Sequence, residues 1–248
     1  FVFSSREAMT DLVDFAQRAH VKNLYIQIYR SNIAWFPSKL TDASPYETYE
    51  KKISQDPFSF LIEKAHAAGI KVYAWLNMLT LNENKKATIL KKYGPEILTR
   101  NLKPKKKLED YKIDDQYFLE PGDPRVREEL INIVEEIVRT YPKLDGLLFD
   151  YIRYPDPTAN FGYTPINMER FKKATGLKTV EGKSDAWKNW KRAQVTEFLK
   201  MLVERAHAIR PELHIAATGC MPYVRAYAEA FQDWPMWLDR GLVEFVVM

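Results

Sequence analysis

The strongest chemical signal in the sequence is an acid at the end of an apolar run. The mainly apolar segment 144–149 stops at Asp150, and Tyr151, Arg153 and Tyr154 follow. If this segment is a buried strand of a parallel barrel, Asp150 points into the mouth where substrates bind. A carboxylate is the usual nucleophile or acid in glycoside hydrolysis, and flat rings suit sugar faces. The segment favours carbohydrate chemistry, with a structural Asp150, paired with Arg153 or capping a loop, as the alternative.

Two earlier apolar runs also end in polar or aromatic residues. The candidates on these runs and in the loop after the first are Tyr29, Arg30, Trp35, Trp75 and Asn77. Ordinary packing explains each one equally well, but their shared position at strand ends favours a binding cleft. Asn77 is the strongest candidate because a polar amide on a buried strand needs a partner. We predict that all five bind substrate, together with the two tyrosines and the arginine that follow Asp150.

A second carboxylate is required by glycosidases that use an acid pair. Glu120 lies just before a turn that leads into the proline-initiated helix at Asp123-Pro124. We therefore predict Glu120 as the second catalytic residue. The alternative is that Glu120 only holds this turn or orients Arg30 or Arg153.

Other catalytic chemistries lack support in the sequence. The four histidines, His20, His66, His207 and His214, fall on predicted helices or at the start of a strand and form no ligand-like cluster. No histidine is positioned in sequence to activate Cys220 as a nucleophile. We predict no metal site and no cofactor.

Length and composition limit the classes of protein to which the chain can belong. The chain has 248 residues, of which 46% are hydrophobic, and this length suits a single domain spanning residues 1–248. Its net charge of +4 gives no dominating positive field, so we expect no nucleic-acid partner. The longest apolar stretches, such as 72–80, are far shorter than the roughly 20 residues that cross a bilayer, so we expect no membrane span.

Short apolar runs alternate with longer amphipathic stretches along the whole chain. Strands are predicted at 23–29, 70–77, 144–150, 213–218 and 243–247, and helices at 7–19, 57–68, 124–140, 185–209 and 224–240. Acidic caps before prolines, at Asp56-Pro57 and Asp123-Pro124, mark two of the helix starts. The order predicts an α/β fold with a parallel sheet.

The alternation fits either a closed barrel or an open doubly wound sheet. The glycine-rich phosphate loop common in open sheets is missing from the sequence, which favours a (β/α)₈ TIM-type barrel. Counting Val2-Phe3 as the end of a first strand gives about six strands, so we expect a barrel incomplete at both ends, as in a fragment. The long connections 79–121 and 154–184 would lie on the carboxyl-terminal face, where such loops build active sites.

Three segments in combination resemble the glycosyl-hydrolase-like family ten. They are 56–77, which ends in Ala-Trp-Leu-Asn, then 121–127, Pro-Gly-Asp-Pro-Arg-Val-Arg, and 145–155, which contains Phe-Asp-Tyr-Ile-Arg-Tyr-Pro. The resemblance covers most of the chain, and Asp150 matches the acid that the family carries on strand four. Glu120 stands where the family more often has asparagine.

The resemblance implies a bacterial cell-envelope glycosidase, exported or anchored as a lipoprotein. Characterised relatives act on peptidoglycan glycan strands stripped of stem peptides. We therefore expect a polysaccharide substrate. Two alternatives stay open: a non-catalytic barrel that binds glycan, and a hydrolase of an exopolysaccharide such as poly-N-acetylglucosamine.

Overall fold

A computed structural model describes residues 2–156 and 158–248 of the chain. Its strands are β1 (Asn23–Arg30), β2 (Ile33–Ala34), β3 (Lys71–Asn77), β4 (Thr80–Asn82), β5 (Tyr117–Phe118), β6 (Gly146–Asp150), β7 (His214–Thr218) and β8 (Phe245–Val247). The main sheet has the order β2-β1-β3-β6-β7-β8, and β4 pairs with β5 separately. Strands β1, β3, β6, β7 and β8 are parallel, whereas β2 runs antiparallel to β1.

Helices precede the parallel strands and cover one face of the sheet. They are α1 (Arg6–Arg18), α2 (Ser44–Ile53), α3 (Pro57–Ala67), α4 (Thr88–Tyr93), α5 (Pro124–Thr140), α6 (Pro165–Thr175), α7 (Asp185–Ile209), α8 (Tyr223–Arg225) and α9 (Trp234–Asp239). The predicted acidic caps are present: Asp56 accepts from the Ser59 amide at 2.6 Å, and Asp123 accepts from the Arg125 amide at 2.9 Å. In the described residues, no helix combines the length and apolar character needed to cross a bilayer.

Two predicted elements are wrong. Val2-Phe3 is not the end of a strand, because Val2–Ser4 forms a 3₁₀ turn. Phe3 is instead 1% exposed and packs edge-on against Phe58, with ring centroids 6.2 Å apart. The predicted helix 224–240 is broken into α8, a π-helical turn at Ala226–Ala230, and α9. It breaks because Phe231 adopts a left-handed conformation, with φ of 55°.

The sheet curls strongly, as a barrel wall does. In a flat sheet β1 and β8 would be separated by four strand spacings, or about 19 Å. Yet the rings of Tyr25 on β1 and Phe245 on β8 lie 6.3 Å apart, and both contact Tyr73 on β3, at 5.1 and 5.7 Å. These aromatic side chains therefore converge on the inner face of the curved main sheet, which we call the arc. The architecture is an α/β fold with an incomplete barrel.

Gly146 makes this aromatic layer possible. A Cβ at position 146 would stand 2.4 Å from the Tyr73 ring and 2.6 Å from the His214 carbonyl oxygen. We expect Gly146→Ala to lower the free energy of unfolding by about 2 kcal/mol, because neither a strand carbonyl nor a packed ring can yield cheaply. Urea denaturation measures the loss. A Gly146→Ala protein as stable as the wild type would contradict the steric account.

Candidate functional site

Three hydrogen-bond donors converge on the Asp150 carboxylate at the carboxyl end of β6. Its Oδ1 accepts from the Thr218 hydroxyl at 2.6 Å and from the Tyr151 amide at 2.7 Å, and its Oδ2 accepts from the Trp75 indole nitrogen at 2.9 Å. Trp75 lies on β3 and Thr218 on β7, the two neighbours of β6. Because an indole and an amide can only donate, both oxygens of Asp150 act as acceptors. The carboxylate is thus held rigidly, and it is only partly buried.

Asn77 lies beside Asp150 in the sheet register. It is 6% exposed, and its Oδ1 accepts a hydrogen bond from Gln27 on β1 at 3.1 Å. The carboxyl ends of β1, β3, β6 and β7 therefore bring Gln27, Asn77, Asp150 and Thr218 to one end of the arc. This is the end that the sequence predicted for the site.

The loop after β6 presents Tyr151 and Arg153 next to Asp150. Tyr151 adopts a left-handed conformation, with φ of 56°, and the Arg153 guanidinium lies 4.8 Å from its ring centroid. Arg153 also pairs with Asp156 at 2.7 Å, and Asp156 pairs with Arg225. Burial alone would raise the pKa of Asp156, but the charges of these two arginines lower it. Arg153 therefore pairs with Asp156 and not with Asp150. The ion pair between Asp150 and Arg153, which the sequence allowed as an alternative to a catalytic role, is not observed.

Tyr29 and Tyr154, two of the predicted substrate-binding residues, are buried instead. Tyr29 is 1% exposed and its hydroxyl accepts from Asn32 at 3.0 Å. A bulge between Gln27 and Tyr29 places Tyr29 opposite Leu76, on the helix-covered face of the sheet. Tyr154 is fully buried and donates to Glu120. Neither ring can act as a sugar platform without a rearrangement of the core.

Arg30 and Trp35 keep some access to solvent. Arg30 is exposed at the end of β1, and Trp35 is partly buried against the main hydrophobic core. The Trp35 amide donates to the Ile28 carbonyl oxygen at 2.8 Å, which anchors the loop after β2. Their predicted roles in substrate binding stay predictions.

Glu120, the predicted second acid, is fully buried. Its Oε1 accepts from the Tyr154 hydroxyl and from the Gly122 amide at 3.2 Å, while Oε2 has no partner of hydrogen-bonding geometry within the described residues. Burial raises the pKa of Glu120, and the hydrogen bonds and the charge of Lys191 offset this only in part. The position holds the turn before α5, which was the alternative interpretation of the sequence.

Lys191 is a buried cation near Glu120 that sequence reasoning missed. Its ammonium group donates to the carbonyl oxygens of Ala159 at 2.7 Å and Phe161 at 3.1 Å, and it lies 3.8 Å from the Phe231 ring centroid. A signal was available, because Lys191 lies between Trp187 and Val195 at four-residue spacing on the buried side of α7. Burial lowers the pKa of Lys191 to about 7.

The titration of Lys191 has a direct effect on stability. Between its folded pKa of about 7 and its ordinary value of 10.5, the unfolded chain binds a proton that the folded chain does not. Stability contributed by this group therefore rises as pH increases from about 7 towards 10.5. We expect Lys191→Met to remove this rise, measured as the free energy of urea unfolding at several pH values. Lys200→Met, at a half-exposed position on the same helix, is the matched control; an unaltered pH slope in Lys191→Met would refute the assignment.

Thr218 also escaped prediction, although a polar residue ending a predicted strand was a usable signal. Across residues 2–156 and 158–248, no three histidine, cysteine or acidic side chains are grouped to hold an ion. The chemistry available at this end of the arc is that of a fixed carboxylate with aromatic, amide and guanidinium neighbours.

The sequence model of the glycosyl hydrolase-like 10 family matches residues 2–248. The chain belongs to this family. The glycosyl hydrolase-like 10 assignment confirms the resemblance carried by the segments around Asn77, Asp123 and Asp150.

Two relatives extend the comparison of this glycosyl hydrolase-like 10 chain. It is 24% identical over 259 residues to glycosyl hydrolase DigH of Escherichia coli O6:H1, covering 97% of this chain and 57% of DigH. It is 23% identical over 271 residues to glycosyl hydrolase YngK of Bacillus subtilis, covering 99% of this chain and 49% of YngK. The chain thus spans about half the length of these curated relatives.

A solved structure supports the fold of the glycosyl hydrolase-like 10 chain. The cold-adapted β-galactosidase from Rahnella sp. R3 superposes with a TM-score of 0.58 at 14% identity, over 96% of this chain and 36% of that enzyme. At this identity the likeness concerns the fold alone.

Proposed function

We propose that this chain is the barrel domain of a glycoside hydrolase and that Asp150 is its catalytic carboxylate. The observation that carries the proposal is the convergence of Trp75, Thr218 and the Tyr151 amide on Asp150 at the carboxyl end of the sheet. Family membership and relatives named glycosyl hydrolases support the same activity.

The hydrogen bonds distinguish the two oxygens of Asp150. An ionised carboxylate offers about four acceptor positions. Oδ1 already accepts two hydrogen bonds, whereas Oδ2 accepts only that of Trp75. Oδ2 therefore has the spare lone pair, and we assign it the chemical step. Either Oδ2 attacks the anomeric carbon as the glycosidic C–O bond breaks, or it takes a proton from the water whose oxygen displaces the leaving group there; in both cases the departing sugar oxygen takes up a proton. Trp75 would hold Oδ2 in position during either step.

Glu120 is not part of the proposed catalytic pair. A second carboxyl group must lie about 5 Å from the first for retention, or roughly 6.5–9.5 Å for inversion, with its oxygens open to substrate. Glu120 is fully buried and bonded to Tyr154, so it does not present an oxygen to the mouth. Of the two acids predicted from sequence, we therefore assign a catalytic role to Asp150 alone.

Peptidoglycan glycan strands stripped of stem peptides are the substrate we propose, in the cell envelope of a bacterium. The family resemblance supports this choice. The stacked Tyr151–Arg153 pair beside Asp150 is compatible with it, since a ring suits a sugar face and a guanidinium suits a carboxylate substituent on the sugar.

Product release tests the activity and the substrate together. The protein is incubated with amidase-stripped peptidoglycan strands and, in parallel, with poly-N-acetylglucosamine, and products are identified by mass spectrometry. Saccharides released from the first polymer alone support the proposal. Release from poly-N-acetylglucosamine alone would replace the substrate but keep the activity.

A non-catalytic glycan-binding barrel is the second candidate, and the burial of Glu120 favours it. Binding of either polymer with no product from a folded protein would support this candidate and overturn hydrolysis.

Thr218 offers a separate test of Asp150 as the reacting group. We expect Thr218→Val to lower kcat about tenfold with little change in KM, because the variant removes one donor without altering the volume of the side chain. Thr218→Ser should restore most of the activity by returning the hydroxyl. Steady-state kinetics on the preferred glycan measures kcat and KM for both variants. An unchanged kcat in Thr218→Val would contradict a catalytic role for the three hydrogen-bond donors to Asp150.

A further inference from the structure

An exposed aromatic surface follows β7. Tyr223 is 36% exposed and Tyr227 is 38% exposed, on α8 and on the π-helical turn that continues it. Met221 and Val224, close by in sequence, are 54% and 72% exposed. Large apolar side chains grouped at a surface commonly mark a binding site. We call the rings of Tyr223 and Tyr227 the rim platform.

Neighbouring side chains fix both rings of the rim platform. The ring centroids of Tyr223 and Tyr227 lie 5.8 Å apart, and Trp234 meets Tyr223 edge-on at 5.4 Å. The Tyr223 hydroxyl donates to Asp233 at 2.9 Å. The guanidinium of Arg192, which is itself buried, lies 3.5 Å from the Tyr227 ring centroid and donates to the Tyr227 carbonyl oxygen. Rings held in this way lose little conformational entropy when a ligand binds.

The rim platform lies at the same end of the arc as Asp150. Strand β7 neighbours β6, and Thr218, the last residue of β7, binds the Asp150 carboxylate. A second connection runs through ion pairs, because Arg225 on α8 binds Asp156, and Asp156 binds Arg153. The platform is therefore attached to both loops that frame the proposed catalytic carboxylate.

Two cavities adjoin Tyr227. One, of about 420 Å³, is lined by Asp185, Lys188, Asn189, Arg192, Tyr227 and Ala228. The other, of about 320 Å³, shares Asn189, Arg192 and Tyr227 with the first. Both volumes fall in the range of ligand sites, roughly 300–1,000 Å³. A ring surrounded by amide and charged groups suits a ligand that has both apolar faces and many hydroxyls.

We propose that the rim platform binds the glycan chain at a distance from the bond cleaved at Asp150, with Tyr223 and Tyr227 contacting the faces of β-linked amino sugars. This inference rests on the proposed function, since it assigns the platform to the same polymer. Asn189 lines both cavities beside Tyr227 and provides an amide group for hydrogen bonds with the sugar. A long chain then contacts both the site around Asp150 and the platform, whereas a disaccharide contacts the former alone.

Chain-length dependence of binding tests the proposal. The full chain carrying Asp150→Asn, which keeps the ligand intact, is titrated calorimetrically with a disaccharide and a hexasaccharide prepared from peptidoglycan strands stripped of stem peptides. Adding Tyr223→Ala and Tyr227→Ala should weaken hexasaccharide binding about tenfold and leave disaccharide binding unchanged. Tyr223→Phe and Tyr227→Phe, which keep the rings, should bind both ligands as the parent does.

Phe15→Ala is the matched control, because Phe15 is a 63% exposed ring on α1, away from this end of the sheet. Equal weakening for both ligands, a loss shared by Phe15→Ala, or no binding of the hexasaccharide by the parent protein would overturn the platform. Thermal unfolding of each variant verifies that it folds. If an alanine variant does not fold, Tyr223→Leu and Tyr227→Leu, which keep apolar bulk but remove the flat rings, carry the test. Tyrosine-dependent binding without product release from the wild-type protein would overturn the proposed function and keep the platform.

Discussion

Replacing Asp150 by asparagine is expected to lower kcat on the preferred glycan by at least about 10³-fold while the protein folds normally. Asparagine has nearly the volume of aspartate, and its carbonyl oxygen can still accept from the Thr218 hydroxyl and the Tyr151 amide, while its NH2 group replaces the acceptor of Trp75. It cannot, however, act as a nucleophile or as a base. The loss should therefore fall on kcat, with KM changed much less. Rates of product release and the thermal unfolding midpoint measure the two effects.

Asp145→Asn is the matched control for this experiment. Asp145 precedes the same strand at its opposite end, where its Oδ2 accepts from the Val72 amide at 2.8 Å and contacts His66 at 2.7 Å. This variant removes one negative charge from the same segment without touching the mouth of the arc, so its kcat should match the wild-type value. Comparable activity in Asp150→Asn and wild type would mean that the catalytic carboxylate lies elsewhere.

Replacing Glu120 by alanine is expected to lower the free energy of unfolding by about 3 kcal/mol or more. The change leaves the Tyr154 hydroxyl and the Gly122 amide without their acceptor and creates a cavity at a fully buried position. Glu120→Gln keeps an acceptor and the volume, so it should stay within about 1 kcal/mol of wild type and retain its activity. Urea denaturation and glycan hydrolysis measure the two quantities.

The free energy of unfolding should depend on pH differently in Glu120→Gln and in the wild type. Because burial raises the pKa of Glu120 above its ordinary value of 4.5, the unfolded chain releases this proton at a lower pH than the folded chain. The contribution of this group to stability therefore falls as pH rises from 4.5 through the folded pKa. Glutamine does not titrate, so the stability of the variant relative to the wild type should increase as pH rises through this range. A folded Glu120→Gln protein with no activity would instead restore Glu120 as a catalytic acid.

The parts of the site carried by regular strands could be predicted from the sequence. Asp150 and Asn77 end apolar runs of seven or eight residues whose boundaries the structure reproduces within two positions. In a parallel sheet the end of the strand fixes where such a side chain points, and no other information is needed. The location of Asp150 could be predicted once the strand that it ends and the direction of that strand were known.

The structure buries Tyr29, Tyr154 and Glu120, and sequence reasoning missed this burial for two different physical reasons. Tyr29 follows a bulge, and one irregular residue moves a side chain to the other face of a strand. Glu120 and Tyr154 lie outside the main sheet, where the two-residue alternation of a strand gives no indication of direction. Their burial depends on α6 and α7, which come later in the chain. Thr218 was within reach, since it ends a predicted strand as Asp150 does.

The contact between Tyr25 and Phe245 joins the first and last parallel strands of the arc across nearly the whole length of the chain. Bringing such distant segments together costs a large loop-closure entropy, and contacts of this kind are characteristic of slow folding steps. During synthesis β1 emerges long before its aromatic neighbour on β8 exists. Until then the Tyr25 and Tyr73 rings contact each other but lack the Phe245 ring, and the nascent chain carries exposed apolar surface of the kind that chaperones bind.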